Sequence, residues 1–223
     1  MSLLNFRVSF RTGLFLLLVP VFLSAATFSL FPKVGGGIDW QKYDPNIKYS
    51  TLVYSSGASA LKYGYTAGLG FDTSFFDLGF AMLGLESGAY YTLTGSKIEY
   101  TYDAFWGDGS RTIEDNLGYL TIPILVKFSK DMYYVGAGAQ CGYLLAQTRT
   151  TTDTLADTKK TVNISQYNSY DIAGQVIAGL VFKNIFLEAQ YAQSLLDIDS
   201  KSGQKIIGHN LTVAAGYRFD LKK

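Results

Sequence analysis

The polar connections between the apolar segments of this chain alternate in length. Long ones cover residues 44–61, 95–116, 148–169 and 194–206, and short ones cover 74–77, 129–131 and 183–184. A chain that turns back alternately through long and short links places the two kinds on opposite rims. An up-and-down antiparallel barrel does this, and a soluble sandwich has no reason to.

Between the links run eight segments, roughly 34–43, 62–73, 78–94, 117–128, 132–147, 170–182, 185–193 and 207–219. Apolar and polar residues alternate in them with the period of two expected of strands. Each is near or above the roughly 9–11 residues that a tilted strand needs to cross a bilayer, whereas strands of soluble proteins centre on about 5–6. The expected fold class is therefore all-β: a single closed antiparallel transmembrane β-barrel of about eight strands, with short periplasmic turns and long extracellular loops. A closed soluble barrel shares the alternation, so strand length decides for the membrane.

Facing follows from parity. Leu120, Ile122, Ile124, Val126 and Phe128 fall on the lipid side, opposite Tyr119, Thr121, Leu125 and Lys127. Ile185, Leu187, Ala189 and Tyr191 oppose Phe186, Glu188 and Gln190, and Leu211, Val213, Ala215, Tyr217 and Phe219 oppose Asn210, Thr212, Gly216 and Arg218. In the third segment Leu78, Phe80 and Met82 are out of phase with Leu83 and Leu85, which predicts a bulge near Gly84. Phe75, Phe76, Phe128, Tyr133, Phe182, Phe186 and Phe219 gather near the short turns, where a barrel places an interfacial aromatic girdle. Pro123 removes a ladder hydrogen bond in a sheet without edges, so a second local bulge is expected there.

The N-terminus sets the compartment. Arg7 and Arg11 precede an apolar run from Leu14 to Leu23, followed by Ser24, Ala25 and Ala26. This is the pattern of a signal peptide over residues 1–26, too short and too broken by Pro20 to span a bilayer, with the barrel domain occupying 27–223. Nineteen basic against eighteen acidic residues become 17 against 18 once Arg7 and Arg11 are removed, a balance without the basic excess of a nucleic-acid binder. Cys141 is the lone cysteine, so neither an internal disulfide nor a zinc site is expected.

The run Tyr119-Leu120-Thr121-Ile122-Pro123-Ile124-Leu125-Val126-Lys127-Phe128, followed by Tyr134-Val135-Gly136-Ala137-Gly138, resembles the PorT-like outer-membrane β-barrel family. So do Ala178-Gly179-Leu180, Leu187-Glu188-Ala189-Gln190-Tyr191 and Ala215-Gly216-Tyr217-Arg218-Phe219, in the order of that family's closing strands. The likeness covers the last half of the chain, the first half sharing only the style, and small OmpX-like and OmpW-like barrels are similar in style. It implies cell outer membrane location, contact with outer-membrane lipid and recognition by the barrel-assembly machinery through a terminal aromatic. It implies little about activity.

Glu86, Lys127, Gln140, Gln175, Glu188, Gln190 and Arg218 are expected to line the lumen. Rings of charge select ions in pores, but eight strands leave an interior just wide enough for side chains to fill, so a satisfied plug and a conducting path both stay open. His209 is the only histidine, and no serine accompanies it in its strand, so no catalytic residue is assigned and the chain is read as a non-enzyme. The loop around Phe105 and Trp106 carries Asp103, Asp108, Glu114 and Asp115 without the spaced oxygen ligands of a calcium loop. Phe105 and Trp106 are the candidate contacts to a host or envelope partner, and no metal or cofactor is expected. Two functions follow: an envelope structural barrel with passive, porin-like passage of small solutes, or a surface-exposed adhesin using its long loops.

Overall fold

The structure is a computed structural model that describes residues 27–43, 56–104, 107–198 and 206–221. The expected leader, residues 1–26, lies outside the described residues, as do Phe105 and Trp106.

Among the described residues eleven strands follow one another: β1 (Thr27–Tyr43), β2 (Ser56–Ala60), β3 (Lys62–Asp77), β4 (Met82–Ala104), β5 (Gly107–Lys130), β6 (Tyr133–Asp153), β7 (Thr158–Asn163), β8 (Tyr170–Phe182), β9 (Ile185–Ser194), β10 (Ile206–Tyr217) and β11 (Phe219–Leu221). Eight of them, β1, β3, β4, β5, β6, β8, β9 and β10, pair antiparallel in that order, and β10 returns to β1 to close the ring. The closing seam runs from Lys33 opposite Gly216 to Tyr43 opposite Ile206. Closure leaves the ring with no unpaired edge.

Parity holds around the ring. Leu120, Ile122, Ile124, Val126 and Phe128 are exposed while Tyr119, Thr121, Leu125 and Lys127 are buried. Val34, Leu69, Ile124, Val135, Val176, Leu187 and Val213 form an outward apolar belt. Aromatic residues bound it: Phe76, Phe128, Tyr133, Phe182 and Phe219 at the short-turn rim, and Tyr63, Tyr65, Tyr91, Tyr143 and Tyr170 at the other. This is the outer surface of a lipid-spanning barrel. Phe186 does not belong to the girdle: it is buried, and its ring meets Phe31 edge-on at 5.2 Å. It stands on the opposite parity from Ile185, so nearness to a turn did not set its direction.

One short turn and two strand irregularities differ from expectation. The first short turn is at 78–81, not 74–77, with Gly79 left-handed (φ 80°) and its amide donating to Asp77 Oδ1 at 2.7 Å. Leu78 and Phe80 are thus turn residues, which is why they fell out of phase with β4. The bulge does exist, but on β3, where Phe75 is skipped between the pairs Ser74–Gly84 and Phe76–Leu83. At Pro123 there is no bulge. The β4–β5 ladder has a gap between the pairs Ser87–Ile124 and Tyr90–Thr121 without a change of register, and the Ser87 hydroxyl donates to the Pro123 carbonyl at 2.6 Å.

The long links are the largest correction. Most of 95–116 continues β4 and β5, paired from Gly95–Asn116 to Ala104–Gly107. Residues 148–153 continue β6 and pair with β7. Once a ladder has a partner it propagates beyond the apolar belt, and β-branched and aromatic residues such as Ile98, Tyr100, Thr112, Ile113, Thr150 and Thr151 suit it there. β2, the outer parts of β4, β5 and β6, and β7 together make a five-stranded sheet standing beyond the belt.

Candidate functional site

Inward parity delivers charged side chains from most of the ring to one level. Lys33 comes from β1, Asp72 from β3, Glu86 from β4, Lys127 from β5, Glu188 from β9, and Arg218 from the link between β10 and β11. Lys33 Nζ lies 3.3 Å from Glu86 and 3.0 Å from Glu188. Lys127 Nζ donates to Asp72 and, at 3.0 Å, to Glu86. Arg218 reaches Asp72 at 2.8 Å and Asp220 at 3.1 Å. The Tyr134 hydroxyl donates to Glu188 at 2.8 Å, and the Gln190 amide donates to the same carboxylate.

Three cations therefore meet three buried carboxylates, and the cluster is neutral. Charges this deep are tolerated only when paired and fully hydrogen-bonded. Lys33 and Lys127 also lie over the Tyr90 and Tyr134 rings, 4.6 and 4.7 Å from their centroids. Apolar groups flank the cluster: Phe31, Tyr90 and Phe186 on one side, Leu125, Tyr134 and Ile177 on the other. A gap lined by Asp72, Glu86, Lys127, Tyr134 and Arg218 measures about 10 Å³, room for about one water.

Of the residues expected on the inner wall, Glu86, Lys127, Glu188, Gln190 and Arg218 meet in this plug, and Gln175 touches it through Gln190 at 3.5 Å. Gln140 does not join it: it lines a chamber in the outer half of the barrel. Sequence reasoning missed Lys33 and Asp72. Lys33 stands one residue before the segment expected to begin at Val34, and Asp72 lies in a glycine-rich strand whose facing was not read, although Thr66, Gly70 and Asp72 share its buried parity. His209 stacks on Trp40, centroids 5.2 Å apart, with Nδ1 2.9 Å from the Tyr191 hydroxyl.

The chamber above the plug has a volume of about 70 Å³ and a polar lining that includes Thr66, Thr92, Thr121, Gln140, Gln175 and Asn210, with Lys33 and Asp171 as its charged members. At its outer end Leu117, Tyr119, Leu144, Tyr167, Ile198 and Ile206 form an apolar layer. Tyr167 and Ile198 come from the connections and are folded inward. A latch beyond the belt holds Tyr167: its hydroxyl donates to Asp115 Oδ2 at 2.6 Å, while Arg149 grips the same carboxylate at 2.6 and 2.7 Å. The hydrogen bond to Asp115 raises the Arg149 guanidinium further above its already high range. Among the described residues no group of His, Cys, Asp and Glu could hold a metal ion.

The family described as outer membrane protein beta-barrel domain matches residues 32–200. No curated protein matches the chain. Among solved structures the chain is similar to Ail, the attachment invasion locus protein of Yersinia pestis, at 16% identity over 86% of this chain and 98% of that one, TM-score 0.38. It is also similar to the outer membrane protein OprG from Pseudomonas aeruginosa, at 14% identity over 88% and 97%, TM-score 0.40. A third is Neisserial surface protein A, at 11% identity over 87% and 98%, TM-score 0.32.

Proposed function

The chain belongs to the outer membrane protein beta-barrel domain family and resides in the outer membrane, and on that premise we propose that it is a non-enzymatic, non-conducting barrel that anchors a surface-exposed binding sheet. The observation that carries this reading is the plug. Lys33, Asp72, Glu86, Lys127, Glu188 and Arg218 join across the ring, and the gap beside Asp72, Glu86, Lys127 and Arg218 has room for about one water. The barrel then serves the envelope structurally, and partner recognition falls to the sheet of β2, β4, β5, β6 and β7 beyond the belt.

Within the family, the run Tyr119 to Phe128 and the closing strands favour the PorT-like group. Phe219, outward at the short-turn rim, is the aromatic offered to the barrel-assembly machinery. Phe105 and Trp106, which lie in sequence between β4 and β5 and outside the described residues, are the proposed contacts to a host or envelope partner.

Single-channel recording of the refolded protein in a planar bilayer tests the plug. Silence from inserted, heat-modifiable protein is expected, and reproducible steps would refute it. The outer chamber favours a second reading, slow passage of small solutes, which requires Lys127 to part from Glu86. For this surface, adhesion of protein-bearing vesicles to host cells is expected to fall in Trp106→Ala with the fold intact, and unchanged adhesion would remove Trp106 from the interface.

A further inference from the structure

We propose that the chamber in the outer half of the barrel binds a small organic ammonium ion, with Asp171 as its counter-ion. This site is separate from the plug and from the outer sheet, and it stands whether or not either acts as proposed.

The first observation is a carboxyl group with no cation beside it among the described residues. Asp72, Glu86, Glu188 and Asp115 are buried carboxylates, and each holds a lysine or arginine. Asp171 lines the chamber from β8 and, among the described residues, pairs with no cation. Its Oδ2 accepts from the Ser194 hydroxyl at 3.0 Å. Its Oδ1 is buried and out of hydrogen-bonding geometry with every donor among the described residues. A carboxylate in such a place calls for a cation to complete it.

The second observation is a buried acceptor in the same space. Gln175 follows Asp171 on the inward face of β8, is 5% exposed, and has an Oε1 with no donor. The third is shape. A Cβ added at Gly142 would meet the Tyr119 ring at 3.2 Å and the Asp171 Cβ at 3.7 Å, so the ring and the Asp171 side chain come together over a glycine on the chamber wall. An ammonium group gains from both a carboxylate and an aromatic face.

The remaining lining selects the class. Leu117 and Ile198 roof the chamber with apolar surface, which suits a carbon body. A divalent metal ion would find one carboxylate and no group of three ligands among the described residues. Lys33 also lines the chamber, but its charge is held by Glu86 and Glu188, which leaves Asp171 as the lining charge to be matched, and a neutral polyol would not match it. At about 70 Å³ the space admits a molecule of a few heavy atoms.

The test is isothermal titration of the refolded full chain in detergent with ethanolamine, using ethylene glycol and acetate as neutral and anionic comparators. Saturable binding is expected for ethanolamine alone, weakened about tenfold or more in Asp171→Asn and unchanged in Asp157→Asn, an exposed carboxylate. Heat-modifiable gel mobility confirms that each variant is folded. Should Asp171→Asn fail to fold, the wild-type protein still decides, because ethanolamine must shift the side-chain amide NMR signals of Gln175. The proposal is overturned if ethanolamine does not bind, if ethylene glycol binds equally, if a folded Asp171→Asn binds as well as wild type, or if the Gln175 signals do not move.

Discussion

Lys33 of β1 and Glu188 of β9 are 155 residues apart in sequence and 3.0 Å apart inside the ring. The pair forms only when β10 has zipped onto both β1 and β9, so it reports closure of the barrel. Each partner is almost wholly buried. Lys33→Met leaves Glu86 and Glu188 short of a cation and is expected to destabilise the barrel by roughly 3–5 kcal/mol. Urea unfolding in lipid vesicles, followed by loss of heat-modifiable gel mobility, measures it.

Tyr134 reaches Glu188 by crossing over Gly179, where an added Cβ would sit 2.3 Å from the ring. Gly179→Val therefore expels Tyr134 from its place and takes the hydroxyl away from Glu188. A loss of about 1–3 kcal/mol is expected from overpacking. Tyrosine fluorescence cannot isolate this site, so the same unfolding assay is the check, and a neutral result would show that the plug tolerates a displaced ring.

If the ion pairs close the lumen, removing one of each sign opens it without leaving an excess charge. Glu86→Ala with Lys127→Ala should give single-channel steps where the wild type is silent. A silent, correctly inserted double variant would shift the seal to the apolar groups Phe31, Tyr90 and Phe186.

Asp115→Asn releases both Arg149 and Tyr167 from the outer latch, and limited proteolysis is expected to cut faster within 164–169. The pH dependence follows from the raised Arg149. A group raised by folding contributes stability that is complete below its unfolded pKa and is lost as pH rises through the folded one. Both values lie above about 12, so protection of this segment should hold unchanged from about pH 7 to about pH 10. A loss within that window would assign the latch to another group.

Ile124 is 61% exposed and Leu125 is fully buried, though they are neighbours in β5. Ile124→Arg on a water-facing surface would change stability by less than about 0.5 kcal/mol. Facing lipid near the middle of the belt, it should cost about 2–4 kcal/mol. Unfolding in vesicles distinguishes the two.

Much of this was legible in the chain. Period-two alternation placed Leu125 and Lys127 inside and Ile124 and Val126 outside without knowledge of any partner strand. It also sent Glu86, Lys127, Glu188, Gln190 and Arg218 inward, because facing is a local consequence of the pleat. Lys33 was passed over because Phe31 and Pro32 obscured the start of β1. Polarity misread the long links: Thr148 to Asp153 and Thr158 to Asn163 lack apolar residues facing lipid, yet they form a ladder because each has a partner in place.

By itself the sequence determined the eight strands of the ring, the facing of the cleanly alternating segments such as β5, and the inward direction of Glu86, Lys127, Glu188 and Arg218. Tertiary structure alone decided which charges meet, since that depends on the register with which eight strands close into a ring. It also decided that, among the described residues, Asp171 pairs with no cation while Glu86 pairs with two. Facing is fixed within one strand, whereas the height of a side chain relative to its neighbours is fixed only when the last strand pairs with the first.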